Sequence, residues 1–205
     1  MADDPMTPQA VVFDIGNVLI EWNYEPYMRA RFGAERTSRF LEETGIVEVH
    51  FRTDAGAPFS ETIRAHAANH PDFADMIHAW VDHWLDLCGP VIGGMAEIMA
   101  DLRARGVPIF ALSNFAAENY EWTKEAFPIL QGFDREFISG RMMMAKPDPA
   151  IYAAVEDATG LRGDELFFTD DRAENIDAAR ARGWHGHLFT DAPGLRQELS
   201  ALGLL

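Results

Sequence analysis

The sequence predicts an α/β fold: a parallel five-stranded sheet covered by helices, with a helical insertion after the first strand. Three observations predict it. Short apolar runs alternate with helical patterns through the second half of the chain, which is how strands joined by crossover helices read. The first run, Val11-Val12-Phe13, stops abruptly at Asp14, with Gly16 two residues on. A buried parallel strand reads this way when it delivers one acid to the end of a sheet. Finally, about 23–89 is too long for a loop and is patterned as helices.

Taken in order, the predicted strands are 10–14, 108–112, 136–138, 166–169 and 187–189. The segment 23–89 is rich in Trp, Phe, His and Met, and Phe73, Met76, Ile77, Trp80 and Trp84 share one helical stripe. Such a stripe is core packing far more often than a cofactor site. The expected organisation is a core of residues 9–22 and 90–205, a helical cap of 23–89, and a flexible tail of 1–8. Helix 94–106 carries Met95, Ile98, Met99 and Leu102 and closes on Gly106. Helix 149–160 carries Ile151, Tyr152 and Val155 before Gly160, and helix 173–183 carries Ile176 and Ala179 before Gly183.

The 205 residues are 48% hydrophobic, ample for a packed core, and carry a formal net charge of −16. So acidic a surface repels nucleic acid and anionic lipid, and an anionic substrate needs local positive charge at its site. The single cysteine, Cys88, excludes an internal disulfide and fits a reducing compartment. Residues 1–8 lack the basic and apolar regions of a signal peptide, and no apolar run approaches the ~18 residues of a membrane span. These features lead us to expect a soluble cytoplasmic protein, a monomer or homodimer, with neither nucleic acid nor membrane as partner.

Chemistry-bearing residues fall where predicted strands end, which is where ligands bind in open α/β sheets. Asp14 ends the first strand, Ser113-Asn114 follow the second, Lys146-Pro147-Asp148 lie beyond the third, and Asp170-Asp171 end the fourth. The set suits phosphoryl transfer. A carboxylate such as Asp14 can attack phosphorus and form an aspartyl-phosphate. The approach of two anions needs positive charge, supplied by Mg²⁺ held on carboxylates, a carbonyl and waters. Asp14, Asp170 or Asp171 and the main-chain carbonyl of Gly16 are the candidate ligands, and Lys146 neutralises phosphate and nucleophile. The Ser113 hydroxyl and nearby N–H groups are candidate phosphate donors, with Asn114 beside them. Each element also has a plain reading. Ser113-Asn114 is a common helix N-cap, Lys146 before proline a solvated loop residue, and Asp170-Asp171 a helix cap.

These motifs together resemble the haloacid dehalogenase superfamily, in the branch with a helical cap after the first strand. The residues that carry the resemblance are Phe13-Asp14-Ile15-Gly16-Asn17-Val18, Leu112-Ser113-Asn114, Lys146-Pro147 and Phe168-Thr169-Asp170-Asp171-Arg172-Ala173-Glu174-Asn175-Ile176. The resemblance implies a Rossmann-like sheet of order 5-4-1-2-3, Asp14 as nucleophile, Ser113 as phosphate-binding hydroxyl and Lys146 as the basic residue. It implies Mg²⁺ on Asp14, Asp171 and the Gly16 carbonyl, with Asp170 as a second ligand or an orienting group. The Asp-x-Gly-Asn-Val form is similar to a branch that includes sugar-1-phosphate phosphatases, so a small phosphate ester, a sugar phosphate in particular, is the implied substrate.

One departure stands out. Phosphatases of the superfamily usually carry a second Asp two residues after the nucleophile, to protonate the leaving alcohol and then activate water. Here that position is Gly16, and general acid–base catalysis is typically worth 10²–10⁴-fold. Glu21, His50, Asp54 and Glu61 are the candidate replacements in or near the cap, and Arg52 is the cap cation that faces a substrate anion or, more plainly, solvent. The alternatives are a substrate whose leaving group needs little protonation, a silent binding protein, and a metal-independent 2-haloacid dehalogenase.

Overall fold

The computed structural model describes residues 7–205. Its main sheet contains β1 (Ala10–Phe13), β4 (Ile109–Ser113), β5 (Arg135–Ile138), β6 (Leu166–Asp170) and β7 (His185–Leu188). Two further strands, β2 (Ile20–Trp22) and β3 (Cys88–Val91), form a separate antiparallel pair. The main sheet is wholly parallel, in the order β5-β4-β1-β6-β7. Counting its five strands alone, this is the expected order 5-4-1-2-3 read from the opposite edge.

Strand alternation explains why both faces of the sheet are dry. Val11, Phe13, Ile109, Ala111 and Phe167 enter one hydrophobic cluster, and Ala10, Val12, Phe110, Leu112, Leu166 and Phe168 enter the other. Helices α6 (Met95–Ala104), α7 (Ala117–Ala126) and α11 (Ala192–Ala201) feed Met95, Ile98, Tyr120, Leu195 and Leu199 to the first face. Helices α9 (Pro149–Thr159) and α10 (Ala173–Ala181) feed Ile151, Tyr152, Val155, Ile176 and Ala179 to the second. A short turn of helix, α8 (Ser139–Met142), follows β5 directly.

The predicted insertion contains five helices: α1 (Tyr24–Phe32), α2 (Ala34–Thr44), α3 (Ile46–Asp54), α4 (Phe59–His66) and α5 (Ala74–Asp82). Its aromatic stripe is core, as expected, since Phe73, Met76, Ile77, Trp80 and Trp84 are all buried. These residues join the same cluster as the first face of the sheet, so helical segment and sheet share one continuous interior.

Four corrections to the expected elements follow from the structure. The β2–β3 pair, which lines up the chain's entry to and exit from the helices, was not expected, because strands of three and four residues are too short to show a period. Strand β7 begins two residues before the expected 187, since His185 and Gly186 carry no apolar signal. Helices α7, α8 and α11 were likewise not expected. Of the tail expected over 1–8, residues 1–6 lie outside the described residues, and Pro8 is buried rather than free.

Candidate active site

The register of β1 fixes the site. Phe13 pairs with Ala111 on one side and Thr169 on the other, so Asp14 emerges between the ends of β4 and β6. There it meets Ser113, the last residue of β4, and Asp170, the last of β6. The carboxylate of Asp14 is held by one oxygen only. Its Oδ1 accepts from the main-chain N–H of Ile15 at 2.7 Å, from Ser113 Oγ at 2.7 Å and from Lys146 Nζ at 2.9 Å. Oδ2 receives no hydrogen bond from a described residue.

Lys146 is as buried as the acids it serves, its side chain 1% exposed. Its Nζ also donates to Asp170 Oδ2 at 2.6 Å and to the Leu112 carbonyl at 2.9 Å. Burial alone would lower its pKa, but Asp14 and Asp170 outweigh that and hold it above the ordinary lysine value. The solvated-loop reading of Lys146 is therefore set aside. Asp170 accepts from Lys146, from Asn175 Nδ2 at 2.9 and 3.0 Å, and from the Arg172 N–H at 2.8 Å. Both its oxygens are engaged by the protein, which makes it the group that orients Lys146. Asn114, expected among the phosphate-binding groups, instead grips the Lys146 main chain: its Nδ2 donates to the carbonyl at 2.9 Å and its Oδ1 accepts from the N–H at 2.8 Å. Its side chain positions lysine and keeps one Nδ2 hydrogen at the cavity lining.

Asp14, Asp170 and Asp171 offer carboxylate oxygens within 4.8 Å of one another. Three acids face one buried lysine, so the cluster carries excess negative charge. Burial pushes the Asp14 carboxyl up, to about 7, with Lys146 pulling it down and Asp170 pushing it further up. Asp171 is pushed up by burial and by Asp170, against a pull from Asn17. A buried set of hard oxygen donors short of positive charge fits a divalent cation such as Mg²⁺.

Asn17 closes the loop around Gly16. Its φ of 55° is left-handed, which Asn tolerates better than most residues. Its Nδ2 donates to Asp171 Oδ2 at 3.3 Å, and its Oδ1 accepts from the Trp22 N–H at 3.0 Å. Gly16 itself is in ordinary backbone space, and a Cβ there would meet nothing within 4 Å.

Above these groups lies a cavity of about 400 Å³ bounded by the core loops and the helical segment. Asp14, Gly16, Ser113, Asn114, Lys146 and Asp171 form its floor; Ile20, Trp22, Tyr24, Phe51, Trp84 and Phe115 supply apolar walls. Glu21, His50 and Asp54 face it, whereas the exposed Glu61 and Arg52 do not line it. Arg172, missed by the sequence reading, is the cation at its rim, with its guanidinium 6.0 Å from the Phe51 ring centre. Its position two residues beyond the Asp170-Asp171 pair was the available signal. Burial lowers His50 to about 3, so its ring is neutral, and raises Asp54 to about 8.

Comparison with known proteins agrees with this geometry. A 108-residue stretch is 31% identical to the sesquiterpene phosphatase astK of Aspergillus oryzae, covering 53% of this chain and 55% of that protein. Another, of 113 residues, is 29% identical to flavin mononucleotide hydrolase 1 of Arabidopsis thaliana, covering 55% and 46%. The matched region thus spans about half the length of each curated relative. Among solved structures, a HAD-family enzyme of Bacteroides thetaiotaomicron in complex with magnesium and inorganic phosphate superimposes with a TM-score of 0.67 at 21% identity, covering 90% of this chain and 95% of that one. The L-2-haloacid dehalogenase of Xanthobacter autotrophicus does so with a TM-score of 0.61 at 19% identity, covering 95% and 83%. At these identities the likeness is one of fold. Residues 8–183 match the haloacid dehalogenase-like hydrolases, and the chain belongs to that family.

Proposed function

We propose that this protein is a Mg²⁺-dependent phosphomonoesterase of small phosphorylated metabolites, with Asp14 as nucleophile. The observation that carries the reading is the asymmetry of Asp14. One oxygen is tied to Ile15, Ser113 and Lys146, and the other is left open toward the cavity. Asp14, Asp171 and the Gly16 carbonyl would hold Mg²⁺, and Asp170 stands close enough to join them. When bound, the ion supplies charge neutralisation for phosphate oxygens. The remaining work falls to the chain itself. Lys146 offsets charge on the nucleophile and the incoming phosphate, and Ser113 Oγ can turn from Asp14 to a phosphate oxygen. The buried floor excludes stray water from the attack.

The leaving group is set by the walls. A sugar phosphate, the substrate implied by sequence, presents C–H faces that stack on Trp22 or Tyr24. The same walls accept an isoprenoid chain or a flat ring system. The two curated relatives, a sesquiterpene phosphatase and a flavin mononucleotide hydrolase, support testing these classes together. The excess of buried carboxylates weighs against the metal-independent dehalogenase reading.

The test is phosphate release from a panel of sugar, flavin and isoprenyl monophosphates, with Mg²⁺ and with EDTA. We expect release that requires Mg²⁺ and falls to background in Asp14→Asn. Turnover by Asp14→Asn at the wild-type rate, or silence across the panel with ligand-dependent thermal stabilisation, would instead point to another nucleophile or to a binding role.

A further inference from the structure

We propose that Asp54, at the C-terminal end of α3, gives the leaving alcohol its proton and then activates the hydrolytic water, in place of the carboxylate that Gly16 lacks. The proposal rests on the phosphomonoesterase reading above. Of the four candidates in the sequence, Glu61 is exposed and outside the cavity. Glu21 lines the cavity, but its carboxylate is half-buried and accepts from Asn23 Nδ2. His50 is packed against Trp84, ring centres 5.4 Å apart and nearly parallel, and its Nδ1 accepts from Trp80 Nε1 at 3.4 Å. Its remaining ring nitrogen, Nε2, lies 3.6 Å from Asp54 Oδ1, too far for a hydrogen bond.

Asp54 differs from all three. It is 5% exposed, it lines the same cavity as Asp14, Lys146 and Gly16, and its Oδ1 is buried with no hydrogen-bond partner. A buried carboxyl oxygen without a partner is costly unless a ligand completes it or the group is neutral. Nor is the residue loosely held. Ser139 Oγ donates to the Asp54 carbonyl at 2.6 Å and accepts from the Phe115 N–H at 2.9 Å, while the Ala116 N–H faces the carboxyl. The loop that follows Ser113 therefore ties the end of α3, and Asp54 with it, to the wall of the cavity that Asp14 also lines. At Gly16 itself there is only open space.

The chemistry balances. Asp14 Oδ2 bonds to phosphorus as the bond from phosphorus to the alcohol oxygen breaks. The proton on Asp54 passes to that oxygen and the alcohol departs. Asp54, now a carboxylate, takes a proton from water as the water oxygen attacks phosphorus. The bond to Asp14 breaks, phosphate leaves, and both acids return to their starting states.

The experiment is a series of substituted phenyl phosphates, with benzyl phosphate added, assayed with Mg²⁺ in wild type and Asp54→Asn. In the wild type, kcat/KM should vary by less than about tenfold across the series, because a donor serves every leaving group. In Asp54→Asn, benzyl phosphate should lose about 10²–10⁴-fold and 4-nitrophenyl phosphate, whose phenolate leaves without a proton, less than about tenfold. Gly16→Asp in the Asp54→Asn background should recover benzyl phosphate turnover. A steep dependence on leaving-group acidity already in the wild type would overturn the proposal without any Asp54 variant. So would equal losses on both esters in Asp54→Asn. If wild type releases phosphate from none of the esters, or Asp14→Asn matches wild type, it is the phosphatase reading that fails.

Discussion

At the residue scale the site depends on one lysine. Lys146 Nζ spans Asp14 and Asp170 at 2.9 and 2.6 Å inside a fully buried shell. Removing one member of such a set strands the others, and breaking a buried ion pair typically costs 3–5 kcal/mol. Lys146→Met, which keeps the stem and deletes the charge, should therefore lower stability by about 3 kcal/mol near pH 7 and abolish turnover. The loss should shrink toward acid, because the Asp14 carboxyl, already pushed up by burial, loses the pull of the ammonium and takes a proton, which removes its unpaired charge. Urea titrations of the metal-free protein at neutral and acid pH check this; a loss below about 0.5 kcal/mol would mean that the cluster is more hydrated than its burial indicates. The motif position of Lys146 was legible in the sequence. The role of Asn114 was not, and for Asp170 the sequence left a ligand and an orienting group both open, because whether a polar side chain faces a ligand or a neighbouring group depends on distances of a few ångströms that a motif does not encode.

At the element scale, Glu156 on α9 stitches three elements. It accepts from Arg182 Nε and Nη2 at 3.0 and 2.6 Å, just past the end of α10, and from Trp184 Nε1 at 2.8 Å, just before β7. Burial pushes its pKa up, but the hydrogen bonds from Arg182 and Trp184 outweigh that and hold it below the ordinary glutamate value. A group lowered on folding stabilises the folded state above its unfolded pKa, and that contribution is lost as pH falls through the folded pKa. Glu156→Gln should thus cost about 1–3 kcal/mol at pH 7, and the gap to wild type should close below about pH 4. Thermal unfolding of both proteins across pH 3–7 measures it; a gap independent of pH would show that shape rather than charge is responsible. The same scale shows what periodicity reveals. Helices α6, α9 and α10 had long apolar faces ending in glycine and were expected within two residues of where they lie. Helix α7 packs mainly through Tyr120 amid polar Asn119 and Thr123, and β3 contains Gly89-Pro90, so neither carries an apolar pattern to find.

At the scale of the molecule, helical segment and sheet meet across a seam with the cavity inside it. Glu118 on α7 accepts from Ser60 N and Oγ, at 2.9 and 2.6 Å, and so caps the start of α4. Trp84 Nε1 donates to Thr123 Oγ1 at 2.7 Å. The enclosure concentrates function in a few cationic groups, Lys146 on the floor and Arg172 at the rim, set in a chain of net charge −16. A dianionic phosphate ester approaching such a molecule is repelled at long range and attracted only once inside, where a bound divalent cation would offset the excess carboxylate charge beside Lys146. The Debye length falls from about 30 Å at 0.01 M salt to about 8 Å at 0.15 M, which removes the repulsion before it touches contacts inside the cavity. Raising KCl over that range at fixed, saturating Mg²⁺ should therefore raise kcat/KM for a phosphate ester by about two- to fivefold and leave kcat unchanged. Most positively charged sites show the opposite trend, so the sign decides the matter. A fall in kcat/KM with salt would mean that the local field of Lys146, Arg172 and the bound cation extends beyond the rim and overrides the acidic surface.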